Sequence, residues 1–388
     1  MKPLPRLRYD GAIDADGHVL EPPDLWEQYL EPKYRDVAIR LKKDDQGLEY
    51  VEIEGRPSRV LRGNFPAGLG LMDRRGGIIY EREEKSGLLY RDMAPLGAMD
   101  PKERIQRLDL ENIAAAVLYP TLSILWIAEA KQEELVQAYV RAYNRWIVDF
   151  CADSGGRLVP VAQVSLGDPE AAEVELRRAV KAGCKGVFAP TFCLTRKPFA
   201  HPSHHRVFAA AEELGVPFGI HPGFEPKWCA PGRYGEYSSM KYGFFLNVTA
   251  GDAVRHAFTS FFQYGVPEKF PSLNVVVLEA GAGWIGYWLD RMDSVYSSPQ
   301  GGPVREILPE LPSTYFHRQC FISADPDEST LAPVIEAIGP EKFFWASDFP
   351  HPDHPPEYVP CLEALIEALP EPARAPVLGD NVRKLYRL

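Results

Sequence analysis

Eight short apolar runs alternate with longer segments of helical period, and this alternation constrains the fold more than any other feature of the chain. Each run ends in polar or small residues, which is typical of parallel strands joined by helical crossovers. Strands are predicted over residues 11–17, 114–120, 158–164, 186–190, 217–221, 274–280, 319–324 and 343–348. Helices are predicted over residues 101–111, 129–151, 169–183, 204–214, 247–264, 283–293, 328–338 and 358–369. The strict alternation predicts an α/β fold, a closed (β/α)8 TIM barrel.

A single domain accounts for the length of the chain. Of its 388 residues, 45% are hydrophobic and 25% are charged, which is close to ordinary globular usage and supplies enough apolar surface for a full-sized core. TIM barrels routinely exceed about 250 residues when their loops carry insertions. One domain over residues 1–388 is therefore expected.

Two stretches interrupt the alternation. Residues 20–100 contain EPPDLW, a charged hairpin-like stretch and a Gly-rich run, and they are predicted to form an insertion after strand one. Residues 222–246 are rich in Gly, Pro and aromatic residues and are predicted to form a second insertion after strand five. Loops that follow strands lie on the C-terminal face of a barrel, where active sites are built. We expect these two insertions to determine substrate specificity.

The charge balance limits the choice of partner. A formal net charge of −11 argues against nucleic acid or an anionic membrane, because both require a local excess of Lys and Arg. A small-molecule partner is expected instead. The first residues contain no apolar run of signal-peptide length, and no later segment reaches membrane-spanning length. These features predict a cytoplasmic location.

The first predicted strand ends in Asp16 and His18, which are separated by one residue. Residues two apart in an extended chain point the same way, so both side chains can project toward one point at the mouth of the barrel. A carboxylate and an imidazole in this arrangement suit Zn²⁺ or Mn²⁺. A strand-end Asp that caps the next turn would give the same pattern, so the pair gains weight only from residues that recur later.

His221 ends the fifth predicted strand before a Pro-Gly turn, and Asp348 ends the eighth. A carboxylate that emerges from a buried strand requires a partner, because burying it unpaired is costly, and a cation is one such partner. The alternatives are a structural strand-end histidine for His221 and a helix cap for Asp348. The helix cap is disfavoured because Pro350, Pro352 and Pro355 postpone any helix.

Several segments from strand one to strand eight share a pattern with a known group of enzymes. They are the opening IDADGHVLEPPDLW, the HPG after strand five, LEAGAGWIGYWLDRMD, the ending ASDFPHPD and the C-terminal GDNVRKLY. Together they resemble the decarboxylase-like branch of the amidohydrolase superfamily. This resemblance implies a barrel that depends on one divalent metal ion per chain, Zn or Mn. It also implies a homodimer.

In that family, metal ligands follow strands one, five and eight, and the resemblance assigns these roles to Asp16, His18, His221 and Asp348. The family commonly has a His followed by Gly-Gly at strand six. This chain has Ala280 at that position, so the usual imidazole is missing.

Glu279 is the candidate to replace the missing imidazole, since a carboxylate near a divalent cation can orient a ligand or carry a proton. It could equally cap the Gly-rich turn or pair with an Arg. His351 and His354 follow Asp348 on the same face of the barrel, and His351 is the nearer of the two along the chain. The predicted catalytic residues are therefore Asp348, Glu279 and His351.

Two reactions fit the predicted site. In the first, a metal-dependent carboxy-lyase removes carbon dioxide from an aromatic or muconate-like carboxylic acid, with Asp348 or Glu279 as the proton carrier. In the second, a metal-bound water hydrolyses a lactone, amide or related carbonyl bond. The acidic-x-His start and the missing strand-six His favour decarboxylation. A metal-free scaffold barrel is the third alternative. The predicted substrate-binding residues are Trp26, Trp228, Tyr234 and Tyr237.

Overall fold

The computed structural model describes residues 4–72, 89–229, 243–354 and 358–388, and its core is one sheet of eight parallel strands. The strands are β1 (Ile13–Val19), β2 (Ala115–Pro120), β3 (Leu158–Gln163), β4 (Gly186–Pro190), β5 (Phe218–His221), β6 (Val275–Val277), β7 (Cys320–Ala324) and β8 (Phe343–Trp345). Each strand pairs in parallel with the next one along the chain. Every predicted strand overlaps an observed one.

Backbone hydrogen bonds between β1 and the segment after β8 close the sheet into a barrel. The amide of Asp348 donates to the carbonyl of Asp16 at 3.0 Å, and the amide of His18 donates to the carbonyl of Phe349 at 2.7 Å. Parallel strands buried on both faces are expected to be apolar throughout, and β2 and β3 are buried along their whole length. The predicted (β/α)8 TIM barrel is therefore confirmed.

Eight longer helices occupy the predicted crossovers. They are α1 (Pro101–Glu111), α2 (Glu133–Cys151), α3 (Pro169–Ala182), α4 (His205–Leu214), α5 (Gly243–Gln263), α6 (Ile285–Ser297), α7 (Leu331–Ile338) and α8 (Tyr358–Ala368). The start signals act as expected: the carboxylates of Asp100 and Asp168 accept from amides in the first turns of α1 and α3, each of which begins with Pro. Among the described residues, no helix is both long enough and apolar enough to cross a bilayer.

Further helices lie in the connections between these elements. Those with α-helical or π-helical geometry are Leu25–Tyr29, Phe65–Gly68, Tyr90–Met93, Leu122–Trp126, Val266–Lys269, Gly302–Arg305, Pro312–Gln319, Glu371–Ala375, Pro376–Asp380 and Asn381–Tyr386. Those with 3-10 geometry are Pro32–Val37, Ile127–Glu129, Pro202–His204, Pro299–Gly301 and Pro340–Lys342.

The region after β1 carries a small antiparallel sheet of three strands, Arg40–Lys43, Glu49–Ile53 and Arg56–Pro57. The hairpin between the last two turns on Glu54 and Gly55, which both have positive φ, as two-residue hairpin loops require. The Gly-rich run of this predicted insertion falls largely within residues 73–88, outside the described residues. Most of the second predicted insertion, residues 230–242, also lies outside them.

Candidate active site

Asp16 and His18 lie near the carboxyl end of β1, where the strand is irregular. The pairing with β2 shifts between Asp14 and Gly17, so β1 accommodates one extra residue there. Asp16 and His18 are both buried, with 1% and 0% of their surface exposed. The D-x-H spacing therefore delivers both side chains into the interior at the mouth of the barrel.

His221 ends β5, and the HPG motif after it forms a turn against the loop after β2. A side chain at Gly223 would stand 2.4 Å from the carbonyl oxygen of Ile124, so only glycine allows this backbone approach. The amide of Phe224 donates to the same carbonyl at 3.2 Å. The turn fixes His221 in place, and the histidine is fully buried.

The two imidazoles present the same ring nitrogen to each other. Nδ1 of His18 lies 2.8 Å from the carbonyl oxygen of Pro120, and Nδ1 of His221 lies 2.7 Å from that of Pro222. A carbonyl oxygen can only accept, so each Nδ1 carries a hydrogen, and in the neutral ring Nε2 offers a lone pair. The two Nε2 atoms lie 3.3 Å apart. This is the tautomer and orientation of metal-binding histidines.

Two carboxylates complete a compact set of four donors. Oδ1 of Asp16 lies 3.5 Å from Nε2 of His18 and 3.6 Å from Nε2 of His221. Oε2 of Glu279 lies 3.5 Å and 3.2 Å from the same two nitrogens. Both oxygens are buried without a hydrogen-bond partner. Donor atoms about 2.0–2.2 Å from a four-coordinate cation stand about 3.3–3.6 Å from one another, so these residues fit a divalent metal ion.

The carboxylates and imidazoles of the compact set shift one another's pKa values. Burial alone would raise the pKa of Asp16, but the adjacent His221 and His18 outweigh it and lower that pKa to about 2. Burial would lower the pKa of His18, but its contacts with Asp16 and Glu279 outweigh burial and raise that pKa to about 10. Without a cation, a proton on His18 therefore offsets part of the buried negative charge.

Glu279 follows β6 with a positive φ of 41°, a conformation that non-glycine residues rarely adopt. The turn after it is capped by Glu328, whose oxygens accept from the amides of Ala282 and Gly283 at 2.8 Å each. Glu279 is thus not the cap of the Gly-rich turn. The sequence predicted a catalytic role for Glu279 and the fourth ligand position for Asp348. In the structure, Glu279 lies in the compact set with Asp16, His18 and His221.

Asp348 lies beside this set, in an overlapping group with His18, Glu279 and His351. Its Oδ1 is 3.4 Å from Nε2 of His18 and 2.7 Å from Nδ1 of His351. Its Oδ2 is buried without a hydrogen-bond partner. Burial raises the pKa of Asp348 well above its ordinary value, and the nearby Glu279 adds to the effect. A raised pKa favours the protonated form of the carboxyl group, which can serve as an acid.

His351 connects Asp348 to the loop after β2. Its Nε2 lies 2.9 Å from Oγ1 of Thr121, and its ring centre is 4.2 Å from that of His18. Burial lowers the pKa of His351 well below its ordinary value, and the neighbouring His18 and His221 lower it further. His351 is therefore a neutral imidazole with both ring nitrogens engaged.

Glu21 supports this loop and was not identified from the sequence. It is fully buried, and its carboxylate accepts from the amides of Thr121, Leu122 and Ser123 at 3.2, 2.8 and 2.9 Å. An anionic group at a helix start is favourable because it satisfies amides that have no partner within the helix. The only available signal was an acidic residue just after the ligand-bearing strand, in EPPDLW.

A cavity of about 130 Å³ opens beside Glu279 and His351. Its described walls are mainly apolar, and the polar residues that line it are Thr121, Asn247, Glu279, His351 and Asp353. The apolar residues are Phe65, Leu69, Ile124, Leu125, Pro222, Phe224, Leu246, Ala250 and Pro352. An engineered apolar cavity of about 150 Å³ accepts benzene, so this volume suits one small ring.

Of the four predicted substrate-binding residues, the two tryptophans lie away from the described walls of this cavity. Trp26 is buried in the core, where its indole NH donates to the carbonyl of Tyr139 at 3.3 Å, so it packs the insertion against α2 and does not line the cavity. Trp228 is partly exposed and packs edge-on against Phe192. Tyr234 and Tyr237 lie outside the described residues.

The fold and the site together define a class of protein. It is a (β/α)8 barrel enzyme in which a buried cluster of His and carboxylate side chains, able to hold a metal ion, lies at the carboxyl ends of the strands. The family model described as Amidohydrolase matches residues 13–388. The chain therefore belongs to the amidohydrolase family, and it is an enzyme.

The individual relatives have low sequence identity to this chain but match most of its length. A γ-resorcylate decarboxylase from Rhizobium sp. (strain MTP-10005) is 23% identical over 263 residues, which cover 64% of this chain and 76% of the relative. An amidohydrolase from Mycobacterium avium subsp. paratuberculosis K-10 superposes with a TM-score of 0.78 at 22% identity and covers 97% of this chain and 99% of its own. A 5-carboxyvanillate decarboxylase variant from Novosphingobium aromaticivorans, solved with manganese, superposes with a TM-score of 0.65 at 17% identity. The match covers 98% of this chain and 97% of the decarboxylase. The two structures share the fold of this chain.

Proposed function

We propose that this enzyme is a metal-dependent carboxy-lyase that removes carbon dioxide from an aromatic or muconate-like carboxylic acid. One observation carries the proposal: unpartnered, buried oxygens of Asp16 and Glu279 face two imidazole Nε2 atoms beside an apolar cavity of about one ring's size. The reaction named for the γ-resorcylate decarboxylase relative supports the same choice.

In this proposal, Asp16, His18, His221 and Glu279 hold one divalent cation, Zn²⁺ or Mn²⁺. The manganese bound by the related 5-carboxyvanillate decarboxylase supports a metal-dependent site in this enzyme. When bound, such a cation supplies Lewis acidity that stabilises negative charge on a substrate's carboxylate or adjacent hydroxyl oxygen. Assigning Glu279 to this set leaves Asp348 available for proton transfer.

Asp348 is the proposed proton donor, and His351 orients it. The bond between the ring carbon and the carboxylate carbon breaks, carbon dioxide leaves, and the electron pair remains on the ring carbon. That carbon takes the proton of the Asp348 carboxyl, and a new C–H bond forms. The hydrogen bond between His351 and Oδ1 of Asp348 fixes the carboxyl group, while Phe65, Leu69 and Phe224 exclude water from the ring.

The test begins with metal content and then measures carbon dioxide. Protein purified without chelator is analysed for metals, and hydroxybenzoates and muconates are then screened for carbon dioxide release. We expect about one Zn²⁺ or Mn²⁺ per chain and release that chelation abolishes. Asp348→Asn should lose turnover by about 10²–10⁴-fold. The matched control is Asp109→Asn, because this exposed carboxylate pairs with Arg157 at the opposite end of the barrel.

Hydrolysis of lactones or amides by the metal-loaded enzyme, without carbon dioxide from any acid in the screen, would overturn the carboxy-lyase in favour of the hydrolase. We also propose that the enzyme takes a small-molecule substrate and works as a homodimer. Light scattering at micromolar concentration tests the oligomeric state: a mass of one chain contradicts the dimer.

A further inference from the structure

Asp14 is a buried carboxylate that joins β1 to the segment after β8. Only 3% of its surface is exposed. Its Oδ1 accepts from the amide of Ser347 at 2.9 Å, and its Oδ2 accepts from the hydroxyl of Ser347 at 2.6 Å. The same Oδ1 lies 3.3 Å from the amide of Asp16. We call these contacts of Asp14 and Ser347 the clasp.

The clasp lies directly before the residues that form the site. Asp14 precedes Asp16 by two residues, and Ser347 immediately precedes Asp348. Beyond the clasp, the two segments continue to pair, because Asp348 donates to the carbonyl of Asp16 and His18 donates to that of Phe349. The spacing between the Asp16 and His18 side chains and Asp348 is therefore set where these two segments meet.

Both segments have unusual backbones that need such support. β1 carries one extra residue between Asp14 and Gly17, and Asp348 has a positive φ of 50°. An aspartate with positive φ is uncommon, and such conformations persist only where the surroundings over-determine them. The two hydrogen bonds from Ser347 to Asp14 hold the residue next to Asp348 from one side.

Arg104 encloses the clasp from the other side. A side chain at Gly17 would stand 2.6 Å from Oδ2 of Asp14 and 2.7 Å from Nη2 of Arg104, so both groups converge on the backbone between the two ligands. Nη1 of Arg104 also donates to the carbonyl of His18 at 2.8 Å. Arg104 is 1% exposed. The buried side chains of Asp14 and Arg104 thus pack against the backbone of the Asp16–His18 segment.

We infer that Asp14 is a positioning residue for the metal site: through Ser347 and the strand irregularity it fixes Asp16, His18 and Asp348 relative to one another. The inference rests on the metal site of the proposed function and is independent of the reaction catalysed there. Groups that hold metal ligands in place typically contribute about 10–100-fold to metal affinity, although they never touch the ion.

The experiment measures Mn²⁺ binding by the whole chain, with calorimetry for affinity and electron paramagnetic resonance for the symmetry of the bound ion. The variants are Asp14→Asn, which replaces one acceptor oxygen by an amide, and Ser347→Ala, which removes only the hydroxyl donor. The control is Glu175→Gln, because this buried carboxylate in α3 bonds Asn144 and Arg178 outside the barrel mouth. Thermal unfolding is recorded for each protein.

We expect Asp14→Asn to weaken Mn²⁺ binding by about 10–100-fold and to change the resonance spectrum, and Ser347→Ala to do so by a smaller factor. Glu175→Gln should lower the melting temperature while leaving affinity and spectrum unchanged. If Asp14→Asn fails to fold, the Mn²⁺ affinity and the spectrum of Ser347→Ala test the inference. Wild-type affinity and spectrum in a folded clasp variant overturn the inference, whereas Mn²⁺ binding without carbon dioxide release overturns only the proposed reaction.

Discussion

The Nε2 atoms of His18 and His221 lie 3.3 Å apart, although 203 positions separate the two residues in the chain. Each Nδ1 faces a backbone carbonyl, so the lone pairs of the neutral rings would point toward each other. Such an arrangement is unfavourable unless a proton or a cation lies between the rings. Oxygens of Asp16 and Glu279 face the same region, which makes a divalent cation the better occupant.

The first prediction separates the two overlapping sets of ligands. Asp16→Ala and His221→Ala should each be purified without metal, because each removes one donor from the compact set. Asp348→Asn should retain at least half of the wild-type metal, since Asp348 lies beside that set. Elemental analysis of proteins purified in parallel provides the measurement. Full metal content in Glu279→Gln together with none in Asp348→Asn would show that Asp348 is the fourth ligand instead.

The second prediction concerns the pH dependence of metal binding. The pKa of His18 is raised to about 10, so without a cation this imidazole is protonated at neutral pH. Ligation requires the neutral ring, so binding must release that proton, and affinity should rise by roughly tenfold per pH unit between pH 6 and 8. Calorimetry in buffers of different ionisation enthalpy should show release of about one proton.

Asp348→Asn is the control for this measurement, because its own carboxyl group can no longer titrate. It should show the same proton release and the same slope as the wild type. A binding heat that does not depend on the buffer would contradict the assignment of the proton to His18.

The third prediction concerns the link between Thr121 and His351. Thr121→Val keeps the shape of the side chain but removes the hydroxyl that lies 2.9 Å from Nε2 of His351. Since His351 in turn bonds Asp348, the proton donor loses orientation, and kcat should fall by about tenfold with little change in KM. Thr259→Val is the control, because the hydroxyl of Thr259 on α5 donates to the carbonyl of Arg255 and accepts from the indole NH of Trp288 on α6. Equal kcat values for the two variants would exclude the orienting role.

The strands and three of the four compact-set donors could be predicted from local pattern. Apolar runs that end in Asp16, His18 and His221 mark both a buried parallel strand and the barrel end at which it delivers its last residue. Such information lies within a few neighbouring residues. For the same reason the crossover helices were predicted well, and α1 (Pro101–Glu111) has the predicted bounds.

The features of the site that could not be predicted from the sequence depend on contacts between distant segments. Glu279 and Asp348 both follow strands, and only the closed barrel shows which of them meets the two imidazoles. Glu21 acts on amides that lie 100 or more positions away, and spacing gives no sign of such a partner. Trp26 was predicted to bind substrate because the insertion that contains it was expected to face the cavity. Its apolar indole ring is instead buried in the core.

The last prediction tests the space between the two ligands of β1. Gly17→Ala places a methyl group 2.6 Å from a carboxylate oxygen of Asp14 and 2.7 Å from a guanidinium nitrogen of Arg104. Both partners are buried and hydrogen-bonded, so they cannot move aside freely, and we expect a loss of about 1–3 kcal/mol in the free energy of unfolding. Gly286→Ala is the control, because a methyl group there meets no atom within 4 Å and the residue lies in α6. That variant should be as stable as the wild type or gain about 0.5–1 kcal/mol, since Ala favours a helix over Gly. Denaturant titration compares the two, and equal midpoints would show that the Asp16–His18 segment can relax around an added side chain.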